Sequence, residues 1–559
     1  MLFDWNAMEA AGGTDMMNEL AKGGTGKMHR LYLADMALQK AMEAQKAGRA
    51  GVGGMLLETG RSLICAAWDA DPLDGGTAAQ LLALDDMQPF LPDSVRSVAQ
   101  HMRQGWSVPQ DQRYYQRLLQ KRDTALTMGF LEKQTAREPD NAYWLQQRLA
   151  LAGYEGDTGR VEAVIAGATS LPLPVRTRLL ADMHLMRGDA EQAAALYESV
   201  WPHSAGMTEH LTRAAEALTR CGREDTALRL WQTAFALRGW DSNLLLRLSD
   251  VADGTHTACR MPEGRGAVLL YSYNKAACLD ITLGSLAASR LDDARIIVLD
   301  NGSSDATPGV LARWKEHLGD GLLTVTLPCN VGAPAARNWL MHLTELDGCR
   351  WVAYCDDDVE LPADWLGRMG AAMQRYPHAA AWGCRVVDHA NPALIQSVDM
   401  HLDAPQPQSA EQVAAEGERR FAVSMLQHQD MDFGQFTYMR PCATVTGCCH
   451  LFLLDALRSG GGFDLRYSPS QYDDLEHDLR QVLQGRLPVY QGHLAVRHMK
   501  RSGKAALQQP EAQGNASANM YKLQMRYTKD EFETMRRHDY AALKQDLLRK
   551  AAALAASVA

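Results

Sequence analysis

The chain has 559 residues, a net charge of −10, 46% hydrophobic residues and 22% charged residues. That length exceeds a single hydrophobic core. The acidic balance argues against nucleic acid or an anionic membrane as a general partner, and no apolar run reaches the ~20 residues of a membrane span. The start, Met1-Leu-Phe-Asp-Trp-Asn6, lacks the basic and apolar regions of a secretory signal. Eleven cysteines, Cys448-Cys449 among them, follow no zinc spacing, so reduced thiols and a cytoplasmic location are expected.

Residues 1–107 read as a helical region with Gly-rich breaks at Gly12-Gly13, Gly23-Gly24, Gly51 to Gly54 and Gly75-Gly76, and they carry no chemical motif. Residues 108–252 are helical and repeat. Asn141, Val175, Glu209 and Asn243 stand 34 residues apart, each just after a break such as Ser204-Ala-Gly206. Gly188 and Gly222, Ala193 and Ala227, Leu196 and Leu230, and Tyr197 and Trp231 keep the same step. Small residues at fixed places let antiparallel helices approach, and an aromatic one turn later fills the gap between hairpins. The pattern resembles tetratricopeptide repeats, which implies a surface that holds a protein partner. Residues 253–265 read as a linker.

From residue 266 the grammar changes to short apolar strands alternating with helices, which predicts βαβ units and a parallel sheet. Strands are expected at Ala267–Ser272, Ala294–Leu299, Leu322–Leu327 and Trp351–Cys355, with helices at Ala276–Arg290 and Ala306–His317 between them. The last strand spills into Asp356-Asp-Asp358. Alone, such a triplet serves as well as a solvated turn. Beyond the carboxyl end of a strand, where ligands of open α/β sheets bind, three adjacent acids instead call for a cation, and hard divalent ions prefer oxygen ligands. Polar residues mark the other strand ends: Ser272, Tyr273 and Asn274 after the first, Asp300 after the second. Such an Asp can accept from a base or ribose, and an aromatic beside it can cover a base. Asn330, Gly332 and Arg337 suggest a close backbone approach with a cation near phosphate. There is no Gly-x-Gly-x-x-Gly and no P-loop.

Residues 266–505 resemble the inverting family 2 glycosyltransferases of GT-A fold. The resemblance rests on Tyr271-Ser-Tyr-Asn-Lys275, Val298-Leu-Asp-Asn-Gly-Ser-Ser-Asp305, Asn330-Val-Gly-Ala-Pro-Ala-Ala-Arg-Asn338 and Tyr354-Cys-Asp-Asp-Asp-Val-Glu-Leu-Pro362. It continues through Gly461-Gly-Phe-Asp464, Tyr472-Asp-Asp-Leu-Glu-His-Asp-Leu-Arg480 and Val496-Arg-His498. It implies an α/β domain with a Rossmann-like mixed sheet that binds a nucleotide sugar, beside an all-α helical-repeat N-terminal half. By the same resemblance, Ser272, Tyr273, Asn274, Asp300, Asn330, Gly332, Arg337, Asp356 and Asp357 hold the donor. Asp356, Asp358 and His498 hold Mn²⁺ or Mg²⁺. Of the pair Asp473-Asp474, Asp474 is the expected base, although an acid there also suits a helix N-terminus. The family's usual Glu-Asp pair is Asp-Asp here, its usual acid two positions on is Glu476, and Ser272 stands where many members have Pro.

The implied reaction is metal-dependent inverting transfer of a sugar from a nucleotide-sugar donor to a hydroxyl on a protein or glycan acceptor. A repeat scaffold that binds nucleotide sugar without turnover is the alternative, and a nucleotidyltransferase lacks its Gly-rich start. Trp382, Cys448-Cys449 and His450 are expected on the acceptor side or in the core. Pro405 to Glu418 reads as a mobile loop over the donor, and residues 506–559 as a helical tail that packs back on the catalytic domain or a second subunit.

Overall fold

The structure is a computed structural model that describes residues 3–24, 26–200, 207–424, 430–500 and 510–558. The chain forms two compact units, one of Met1–Ala252, Gln429–Gln435 and Leu547–Ala559, the other of Asp253–His428 and Phe436–Asp546.

The first unit is helical. Its hairpins Leu173–Arg187 with Ala190–Val200 and Thr208–Arg220 with Glu224–Leu237 share one shape. Gly188 and Gly222 take φ of 91° and 73° at equivalent turns, which no other residue type adopts as easily. Ala193, Ala227, Tyr197 and Trp231 are buried at matching positions, as the 34-residue step requires. Asn141 caps the helix Ala142–Glu155 by accepting from the Tyr143 amide at 3.1 Å. The break Ser204-Ala-Gly206 lies outside the described residues. One expectation is corrected: Gly51 to Gly54 do not break the chain but sit inside the helix Ala50–Ala70. A Cβ on Gly53 would lie 2.9 Å from the Gln45 side chain and 3.3 Å from the Ala41 carbonyl, so glycine there allows two helices to approach closely.

The second unit is built on strands β1 (Gly266–Ser272), β2 (Arg295–Asp300), β3 (Leu322–Thr326), β4 (Trp351–Cys355), β5 (Val359–Glu360) and β6 (Trp382–Asp388). They are followed by β7 (Ile395–Ser397), β8 (Leu402–Asp403), β9 (Ala422–Val423), β10 (Met439–Pro441), β11 (Cys449–Leu453) and β12 (Val489–His498). The main sheet runs β10-β12-β6-β11-β4-β1-β2-β3, with β5 on β12 and β7 on β6. Strands β1 to β4 are parallel neighbours, while β11 runs antiparallel between β4 and β6. The sheet is therefore mixed.

Alternate residues of the first strands enter two cores. Val268, Leu270, Ile296, Val298 and Ala353 face one, and Ala267, Leu269, Ile297, Leu299 and Val352 face the other. Burial on both faces is why these strands read as continuous apolar runs. The expected linker is packed rather than free, since the Arg260 amide donates to the Gly367 carbonyl at 2.8 Å. Within 405–418 stands a short helix, Ala410–Glu416, capped reciprocally by Ser409 and Gln412. The C-terminal helix Pro510–Arg526 and the start of Lys529–Val558 share a core with the helix Asp473–Leu483, through Leu523, Tyr527, Phe532, Met535, Leu475 and Leu479.

Candidate active site

Strand β4 ends at Cys355, and its apolar register gives way to three carboxylates that share too little positive charge. Asp356 is pushed up to about 6, chiefly by burial, with Arg337 opposing and Asp358 reinforcing the shift. Asp358 is held below the usual carboxylate range: burial works against this, but His498 and Lys275 outweigh it. The pairing of β12 with β5 aligns His498 with Val359, which carries the imidazole to the triplet from far along the chain. Its Nε2 lies 3.2 Å from Asp358 Oδ1.

The other side of that ring fixes its chemistry. Nδ1 lies 2.9 Å from Gln396 Oε1. The Gln396 amide nitrogen meanwhile faces the carbonyls of His498 and Lys500, which orients the amide with its oxygen toward the ring. Nδ1 thus donates to Gln396, so in the neutral ring the Nε2 lone pair faces Asp358 Oδ1, while the imidazolium would bond it directly. With the ring neutral, these two acceptors call for a cation between them. One ligand atom each from Asp356, Asp358 and His498 lie within 4.8 Å of one another, a donor set that fits a divalent ion.

Around this centre the expected donor residues divide. Ser272 and Asp357 are buried and satisfy each other at 2.6 Å. Tyr273 is 44% exposed. Asn274, at φ 53°, accepts from the Ser304 amide at 2.8 Å and shapes the loop after β2. Asp300 is buried and accepts from the Ser303 amide at 2.9 Å. Asn330 accepts from Asn301 and from the Gly332 amide, each at 2.9 Å. Gly332, at φ 85°, precedes the helix Ala333–Met341.

Arg337 differs most from its expected place beside phosphate. It is 4% exposed, with Nη1 2.6 Å from Asp473 and Nη2 3.5 Å from Asp356. One guanidinium thereby joins the triplet to the second acidic element. There, the helix Asp473–Leu483 begins after Gln471 and Tyr472, both left-handed with φ of 81° and 70°. Asp473 is buried against Arg337, and burial raises its carboxyl even so. Asp474 is half-buried and accepts from the Gly447 amide at 2.8 Å. A Cβ on Gly447 would come within 2.6 Å of that carboxylate and 3.0 Å of Arg337, so the close approach requires glycine.

Lys275 escaped the sequence reading. Its Nζ lies 2.7 Å from Asp358 and 3.1 Å from Asp357, and these carboxylates raise it although burial opposes. A cation one residue beyond a polar strand end, with an acidic rim nearby, was the available signal. Trp382, Cys448, Cys449 and His450 do not line an open acceptor surface. All four are buried, because β6 and β11 are interior strands of the sheet.

Residues 267–461 match the family model described as Glycosyl transferase family 2. The second unit carries a family 2 glycosyltransferase domain. The matched span holds the β1 to β4 rim and ends before Asp473, Asp474 and His498, which the fold returns to that rim. The glycosyltransferase domain has the mixed sheet of a GT-A fold. No curated protein matches the chain. Among solved structures, it is similar to mannosyltransferase PcManGT from Pyrobaculum calidifontis in complex with GDP-Man and Mn²⁺. That likeness has 18% identity over 57% of this chain and 87% of that one, with a TM-score of 0.34. It is also similar to GalNAc-T7 with UDP, GalNAc and Mn²⁺, at 11% identity, 44% of each chain and a TM-score of 0.33. For S. aureus TarS the values are 15% identity, 42% of this chain, 36% of that chain and a TM-score of 0.28. The chain spans less than half the length of the last two.

Proposed function

We propose that the glycosyltransferase domain moves a sugar from a nucleotide-sugar donor to an acceptor hydroxyl in one metal-dependent, inverting displacement. The observation that carries this reading is the unmatched Asp358 Oδ1 facing His498 Nε2, on a rim that Arg337 ties to Asp473. Asp356, Asp358 and His498 would hold Mn²⁺ or Mg²⁺, which when bound supplies charge neutralisation for a departing diphosphate.

The remaining work falls to the chain's own side chains. Asp300 accepts from the base or ribose, with Tyr273 exposed beside it to cover the ring. Asn330 and Gly332 shape the turn that leads into Ala333–Met341 on the donor side. Ser272 and Asp357 brace the triplet from below. Lys275 holds Asp358 at a fixed distance and adds positive charge where the leaving oxygens collect. Asp474 takes the proton of the attacking hydroxyl. Being half-buried, it is the reachable member of its pair, while Asp473 is committed to Arg337. Placing the base opposite the departing diphosphate makes a single displacement that needs no second, covalent nucleophile, and inversion at the anomeric carbon follows.

The helical hairpins, read as tetratricopeptide-like repeats, would hold a protein partner or present a protein or glycan acceptor. Among the described residues no helix is long and apolar enough to cross a membrane. The eleven cysteines, all unbridged, favour a reducing, cytoplasmic setting. The test is a panel of UDP-, GDP- and dTDP-sugars with Mn²⁺ or Mg²⁺, following nucleoside diphosphate release and the anomeric configuration of the product by NMR. Retention of configuration, or turnover undiminished by chelation, would overturn this reading.

A further inference from the structure

We propose that Asn519, in the C-terminal helix Pro510–Arg526, is a positioning residue for Asp474; the inference rests on Asp474 being the base. The helix lies well beyond residues 267–461, yet it grips the loop from which the base helix starts. The Asn519 amide nitrogen donates to the carbonyls of Tyr467 at 2.9 Å, Ser470 at 2.9 Å and Gln471 at 3.3 Å. Asn519 is 1% exposed, and its own Oδ1 accepts from Lys522 Nζ at 2.9 Å. Lys522 also donates to the Arg466 carbonyl at 2.8 Å, so the amide is held in one orientation.

The gripped loop is one that needs holding. Gln471 and Tyr472 are consecutive non-glycine residues in the left-handed region, a conformation that persists only where the surroundings over-determine it. Asp473 and Asp474 follow at once. Between the carbonyls that Asn519 holds, the loop is pinned to a second element, since the Pro469 carbonyl accepts from the Ala333 amide at 2.7 Å. That amide opens the helix bearing Arg337, which in turn pairs with Asp473. Asn519 thus closes a frame around the base from the side the donor helix does not reach.

A second bond from the same tail acts one turn further on. Tyr527 Oη donates to Glu476 at 3.0 Å. Glu476 is the position where the family's usual acid is shorter, and here the longer side chain meets the tail's tyrosine. Without the Asn519 amide, the buried Tyr467 carbonyl and the carbonyls of Ser470 and Gln471 lose their donor, the left-handed pair relaxes and the start of the base helix shifts. A displacement of about 1 Å at reacting groups can lower turnover ~10²-fold.

The experiment compares full-length Asn519→Ala, Tyr527→Phe and Asp474→Asn with the unaltered chain. It measures nucleoside diphosphate release from the nucleotide sugar that the panel shows to turn over, donor affinity by calorimetry with Mn²⁺, and melting temperature. Asn519→Ala is expected to lower kcat by about 10- to 100-fold with donor affinity within about twofold, a split that a merely stabilising contact would not produce. Tyr527→Phe keeps its ring in the core and is expected to lower kcat about fivefold, the worth of one hydrogen bond. If Asn519→Ala does not fold, Asn519→Asp, which keeps the volume but loses both N–H donors, is measured in its place with the same expectation. Full turnover of the folded variants beside an inactive Asp474→Asn would overturn the positioning role and leave the base standing. Loss of donor affinity equal to the loss of kcat would also overturn it. Full turnover of Asp474→Asn would instead remove the base assignment and this inference with it.

Discussion

Both units bury charge, but the helical unit pairs its buried carboxylates with arginines while the glycosyltransferase domain gathers carboxylates in excess of its cations. In the helical unit Asp69 pairs with Arg178, Asp182 with Arg213 at 2.6 Å, Glu209 with Arg238 at 2.7 Å and Glu216 with Arg247 at 2.9 Å. Burial would raise the Glu209 carboxyl, yet Arg30, Arg238 and Arg213 hold it well below the usual range. At the β4 rim, Asp356, Asp357, Asp358, Asp473 and Asp474 have, among the described residues, Lys275 and Arg337 as permanent cations. Burial, reinforced by Asp358, raises Asp356 to about 6, and Asp358 Oδ1 faces the His498 ring. Matched charge anchors helices to one another. A surplus of carboxylate is what a divalent ion and a diphosphate clamp require.

The contrast is broken most severely at the base. Asp474→Asn keeps the volume and the helix start but cannot take a proton, so turnover should fall ~10²–10⁴-fold with donor affinity unchanged. Equal losses of affinity and turnover would show that Asp474 binds rather than reacts. In the helical unit the same kind of deletion should act on stability alone. Arg238→Met takes the arginine from buried Asp241 and one of those around Glu209, and should cost the unit about 3–5 kcal/mol, read from its transition in urea. Arg238 pairs with both Glu209 and Asp241, so a nearly silent substitution would mean the network contributes nothing to holding the helices.

A milder change sharpens the rim. Gln396 touches no donor group, but it fixes the tautomer of His498. Gln396→Leu should weaken manganese binding about 10- to 100-fold, measured by the free-ion EPR signal, while the melting of the helical unit stays put. Unchanged manganese affinity would remove His498 from the ligand set.

How far the sequence reveals this division depends on whether chemistry coincides with a break in pattern. The acidic triplet was legible because an apolar strand ends where the acids begin, and β1 to β4 were legible because both faces are buried. Arg337 was located, but its pairing with the carboxylates of Asp473 and Asp356 was not. Its neighbours on the helix, Ala333, Ala336, Leu340 and Met341, form the apolar stripe, and Arg337 lies on that stripe. A basic residue at an inward position signals a buried partner rather than a surface cation. Gln396 gave no signal, since β7 is three residues long and its partner is about a hundred residues away. Trp382, Cys448, Cys449 and His450 were ambiguous because interior strands of a mixed sheet carry the same residues as a lined pocket. The grip of Asn519 on the base loop is invisible in principle to a local pattern.

The smallest expected effect is a pH dependence, and it follows from the paired network. Glu209 has its folded-state pKa depressed below the ordinary 4.5, so it contributes stability at pH values above 4.5 and loses it as pH falls through the depressed value. Between pH 7 and 5 the term is constant, because Glu209 is ionised in both folded and unfolded chains. As pH falls from 5 to 3 the unfolded chain binds the proton first, and the melting temperature of the helical unit should drop. Glu209→Gln, already uncharged, should start lower at neutral pH and fall less steeply across that window. Parallel curves for the two proteins would mean that Glu209 is not the titrating group, and that the arginines around it are satisfied by something other than its charge.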